Sequence, residues 1–180
     1  MSISKPQRML KHLWLDASDA QRAISPDILE RLARQVTASE SRHTGQIRVC
    51  VEAALPMSYL WRLGNSCSIS QLIRQRALML FGKLGVWDTE NNNGVLVYLL
   101  LAERAIEIVA DRGLSRRLAS EQWQSMASRM SAAFQQGRFE DGLTHALEEV
   151  SALLVAHFPP TPLAAGEQRH NELPDEPFLQ

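Results

Sequence analysis

The 180 residues are 45% hydrophobic and 22% charged, with a formal net charge of -1 and two cysteines. This is globular usage, and a chain of this length buries enough surface to fold without disulfides or a structural metal. The near-neutral balance argues against broad electrostatic attraction to nucleic acid or anionic lipid.

The first fifteen residues are basic, but Lys11 and His12 interrupt them, so they lack the apolar stretch of a secretory signal. The longest apolar run, Val95 to Ala102, is too short to span a bilayer. A cytoplasmic chain with reduced Cys50 and Cys67 is the expectation, the disulfide being the less favoured state.

Met9, Leu10, Leu13 and Trp14 suggest a short helix within 8–22. With Lys5, Arg8 and Lys11 beside them, these residues suit either a membrane surface or packing onto the domain, and packing is the preferred reading. Ser25-Pro26-Asp27 then supplies an N-cap, a proline at the first helical position and an acid in the first turn. Ile28, Leu29, Leu32, Ala33 and Val36 carry that helix to about Arg42. Ile47, Val49 and Val51 alternate with Arg48, Cys50 and Glu52, the period of a half-buried strand.

Residues 57–68 fit neither period. Tyr59 and Trp61 in that stretch are candidate interaction residues, covering a sheet edge or meeting a partner. Ile69 to Leu84 reads as an amphipathic helix ended by Gly85. A polar loop, 88–94, leads into Val95 to Ala102, a strand buried on both faces. Glu103-Arg104 turns the chain, and Ala105 to Ala110 returns as an antiparallel neighbour. A short helical turn is expected over 114–118. A helix through Trp123, Met126, Met130 and Phe134 follows, then one through Leu143, Leu147, Val150 and Leu154.

From Pro159 the periodicity vanishes, so 159–180 reads as a disordered tail. The order of elements predicts an α/β fold with a small mixed central sheet sandwiched by helices. Residues 1–24 form a helical extension and 25–158 the domain.

Residues 93–118, NGVLVYLLLAERAIEIVADRGLSRRL, resemble the signature of the TPM domain family. Thr44-Gly45-Gln46-Ile47-Arg48-Val49 resembles the family's first strand, and Thr89 a common loop threonine. Trp123, Met130, Phe134, Gly137, Phe139, Gly142 and His157-Phe158-Pro159 continue the likeness. The resemblance implies an α/β/α sandwich. For parts of the family it also implies weak acid phosphatase activity and divalent-cation binding, Ca²⁺ or Mg²⁺. Many members have no established chemistry. A LemA-type membrane protein is the partner that the resemblance suggests. Gln46 stands where many relatives have Glu, and Arg112 and Ser115 flank Gly113 where exported members have Gly-x-Gly-Leu-Glu, which leaves fewer carboxylates.

Hairpin geometry places the 88–94 loop and Asp111 at one end of the sheet and Glu103 at the other. Asp88, Glu90 and Asp111, with asparagine oxygens nearby, are therefore candidate ligands for a hard cation. The competing reading has Asp111 capping a turn. Arg112 and Arg116 are candidate phosphate binders, weighed against a solvated basic face. The five histidines show no metal-ligand spacing, and neither cysteine has the setting of a phosphatase nucleophile. Two functions follow: an accessory or interaction module, which is preferred, or a weak metal-dependent acid phosphatase.

Overall fold

The computed structural model describes residues 5–15, 17–64, 67–118, 125–126, 134–160 and 171–180. The N-terminal segment forms two helices rather than one, α1 (Lys5–Trp14) and α2 (Ala17–Ala23). Helix α3 (Pro26–Glu40) starts at the proline, as the Ser-Pro-Asp signal requires. Strand β1 (Gln46–Glu52), the short helix α4 (Met57–Leu60) and helix α5 (Ile69–Lys83) follow. Ser68 and Gln71 close a capping box at the start of α5, satisfying two backbone donors reciprocally.

Strand β2 (Gly94–Leu100) runs through a 3₁₀ turn, Leu101–Glu103, into β3 (Ala105–Ala110). Arg104 closes that turn in the left-handed region, with φ 48°. Helix α6 (Arg112–Ser115) is a single turn, α7 (Phe139–His157) is the last long helix, and β4 (Phe178–Leu179) is the final strand. The predicted helix around Trp123 and Met130 lies mostly outside the described residues; Met126 and Phe134 from it are buried.

The sheet order is β3-β2-β1-β4. β2 pairs antiparallel with β3, and β1 pairs parallel with both β2 and β4. Helices cover both faces. Ile47, Val49, Val51, Val95, Val97 and Leu99 face a core shared with α2, α3 and α7. Cys50, Leu96, Tyr98 and Leu100 face a second core built on α5, against which Met9 of α1 packs. The result is the mixed-sheet sandwich that the order of elements predicts.

Two expectations are corrected. β1 is buried along its whole length, not half-buried. Its polar residues are enclosed by partners the local pattern does not reveal. Arg76 of α5 takes both oxygens of Glu52, with Nε 2.9 Å from Oε2 and Nη2 2.5 Å from Oε1. The Tyr98 hydroxyl donates to Glu52 Oε2 at 2.6 Å.

The second correction concerns the tail. Of the 159–180 tail, residues 161–170 lie outside the described residues, and 171–180 are not a loose end, because they dock along β1. Arg48 Nη1 donates to the carbonyls of Pro174 and Glu176 at 2.6 and 2.5 Å. Gln46 Oε1 accepts from the backbone N–H groups of Glu172 and Leu173 at 2.9 and 3.1 Å. Leu173 is buried in the second core. A short segment without periodicity is thus held by main-chain bonds and one apolar anchor, which composition does not register.

Candidate functional site

The loop before β2 and the turn after β3 meet at one end of the sheet. The Asp111 N–H donates to Gly94 O at 2.9 Å and the Gly113 N–H to Asn92 O at 2.8 Å. The approach is close enough that a Cβ on Gly113 would lie 2.4 Å from Asn92 O, so only glycine fits there. Buried Thr89 accepts the Asn93 N–H at 3.1 Å, and the Asn93 amide donates to Thr44 O at 3.1 Å, tying in the start of β1.

Asp111 is half-buried. Its Oδ1 accepts the Arg112 N–H at 2.6 Å, capping the α6 turn. Among the described residues its buried Oδ2 has no hydrogen-bond partner, nor has Oδ1 of Asn93. Asp88 and Glu90 are exposed. Glu172, which sequence reasoning passed over, reaches the same loop by accepting the Glu90 N–H at 2.8 Å. Among the described residues no three His, Cys, Asp or Glu side chains gather to hold a metal ion. Asp111 Oδ2 and Asn93 Oδ1 are oxygens of the kind that a hard cation takes.

The Arg112 guanidinium donates from Nε to Asn92 Oδ1 at 2.7 Å, so it braces the loop. Arg116 is exposed. Arg117 donates to His157 O at 2.9 Å and lies 4.7 Å above the Phe158 ring centre.

The opposite end of the sheet holds α1. His12, buried, accepts the Leu55 N–H on Nδ1 at 3.0 Å and sets Nε2 2.9 Å from Glu103 Oε1. With Nδ1 accepting, the ring proton sits on Nε2 and points at the carboxylate. Arg8 Nε lies 3.1 Å from the same oxygen. Polar side chains therefore anchor this helix, while Leu10, Leu13 and Trp14 are 56, 61 and 79% exposed. The Lys5 ammonium donates to Trp61 O at 3.3 Å, which sets the helix start against the α4 turn.

Trp61 is 68% exposed. Tyr59 is half-buried, with the guanidinium groups of Arg62 and Arg76 at 5.7 and 5.5 Å from its ring centre. Of the two candidate interaction residues, Trp61 presents a free surface and Tyr59 supports the turn beneath it. The anchor residues His12 and Glu103 had no sequence signal except the basic, acid-free character of 5–14.

Fold and site together define an α/β sandwich whose two sheet ends carry different chemistry, oxygen-rich at one and apolar at the other. The TPM domain family model matches residues 17–153, and the chain belongs to the TPM domain family. The chain is similar in fold to the BA42 protein of the psychrophilic bacterium Bizionia argentinensis, with TM-score 0.68 and 21% identity over 86% of this chain and 94% of that one. It is also similar to the N-terminal domain of a protein from P. gingivalis, with TM-score 0.58 and 19% identity over 90% of this chain and 100% of that one. None of the curated proteins matches this chain. Among the described residues no helix is long and apolar enough to cross a membrane.

Proposed function

We propose that this TPM domain is an accessory module that works by contact rather than catalysis, in the cytoplasm beside a membrane-protein partner. A LemA-type protein is the partner the family resemblance suggests. The carrying observation is the outward display of Leu10, Leu13 and Trp14 on a helix fixed by its polar side, next to exposed Trp61. Exposed apolar groups gathered on an anchored element mark contact surfaces. Cys50 and Cys67 as free thiols are compatible with a reducing compartment.

A photo-crosslinking residue placed at Lys11 or Trp61, in cells that make the protein, tests this. Discrete cross-linked products from both positions, absent from a control at Val155 on α7, are expected. The same pattern from Val155, or no product from either test position, contradicts the reading.

A second reading is favoured by the unpaired oxygens of Asp111 and Asn93. Here a Ca²⁺ or Mg²⁺ ion joins these oxygens, with Asp88 and Glu90 as outer carboxylates. Such an ion would supply an activated water for phosphate monoester hydrolysis, and Arg112 and Arg116 would hold the phosphate. An ion that binds only the folded state raises its stability by about 2.7 kcal/mol at a hundredfold excess over Kd. Thermal unfolding with Ca²⁺, Mg²⁺ or Mn²⁺ should show that rise in wild type and lose it in Asp111→Asn. No shift with any of the three ions removes this reading.

A further inference from the structure

Helix α1 is mounted the opposite way round from an ordinary surface helix. Such a helix buries its apolar stripe and wets its polar one. Here Arg8 and His12 face Glu103, only Met9 joins the core, and Leu10, Leu13 and Trp14 face out. Rolling the helix over would strand the Leu55 N–H and the buried His12 ring, so the outward face is enforced.

Charge narrows what that face meets. Residues 5–14 hold no acid; with Arg8 and buried His12 turned onto Glu103, Lys5, Lys11 and, after Trp61, exposed Arg62 are the cations beside this face. A second copy of the chain across a two-fold axis would set these cations against themselves, which disfavours self-association. Two exposed indoles and two exposed leucines on a docked helix and the neighbouring turn, beside lysine and arginine, have the composition of an interfacial element. The indoles suit the headgroup level, the leucines the acyl boundary and the ammonium groups the phosphates. The net charge of -1 supplies no long-range pull, so the contact is local and reversible.

We infer that the outward face of α1, together with Trp61, rests on an anionic lipid surface. This rests on the reading of α1 as an interaction surface and names what it touches.

Flotation of the full chain with phosphatidylcholine vesicles, with and without phosphatidylglycerol, tests the assignment. Binding is expected only with phosphatidylglycerol present, and should weaken with salt. It should fall about tenfold or more in the Leu10→Ser, Trp14→Ser double variant. It should persist in Val155→Ser, an exposed change on the opposite layer. A melting curve like that of wild type certifies that the double variant is folded. Failure to bind phosphatidylglycerol vesicles at low salt overturns the assignment, as does equal binding by the double variant. If vesicles fail but a protein cross-links from position 11, or sedimentation shows a dimer that the variant dissolves, the lipid assignment falls and the contact surface stands. If vesicles, cross-links and dimer all fail, both fall.

Discussion

Glu40 ends helix α3 as a buried carboxyl, its Oε1 accepting the Ile47 N–H at 2.7 Å. Burial pushes its pKa up from 4.5 to about 8; Asp175 and Glu172 push the same way, and the Ile47 N–H pulls against them. Between those two pH values the native state keeps a proton that the unfolded chain releases. Stability therefore falls as pH rises from 4.5 towards 8. Glu40→Gln keeps the acceptor and loses the titration. It should melt about 3 °C or more above wild type at pH 8 and together with it at pH 4.5. Parallel pH profiles for the two proteins would show that Glu40 is not the titrating group. Nothing adjacent in sequence marks this residue, because the acids that act on it come from the far end of the chain. The same holds for Glu52, whose partners Arg76 and Tyr98 lie on two other elements. Asp111 was more legible, since a hairpin fixes which loop lies beside it.

Most elements were readable where a period ran long enough. The Ser-Pro-Asp start of α3, the apolar run of β2 and its antiparallel return as β3 each rest on a local rule. β1 misled because alternation signals a half-exposed strand only when one face is open. Here α5 covers Cys50 and Glu52, and the C-terminal segment covers Arg48 and secures the edge. That segment has a two-residue strand and no hydrophobic pattern, so its order lies in bonds to Gln46, Arg48 and Val51. Leu173→Ala should cost about 2–4 kcal/mol in urea unfolding, as for a buried leucine emptied to a methyl. A change within about 0.5 kcal/mol, as at surface positions, would mean that the segment does not dock. By holding Gln46 and reaching the 88–94 loop through Glu172, it also braces the oxygen-rich end of the sheet.

At the scale of the whole molecule, layer order and sheet type follow from the sequence of helices and strands. The orientation of α1 does not. A helical wheel of Leu10, Leu13 and Trp14 predicts burial, and the helix does pack onto the domain, but by its other side. A buried histidine and a shared carboxylate outweigh the apolar stripe. The two ends of the sheet are thereby divided, with unpaired oxygens at one and exposed indoles and leucines at the other. The contact account depends on that division. The most direct test is the thermal unfolding of the Leu10→Ser, Leu13→Ser, Trp14→Ser triple variant. Because these side chains face outward, its melting temperature should stay within about 4 °C of wild type. A fall of more than about 10 °C would show that they belong to the core, and would contradict the orientation of α1 on which the account stands.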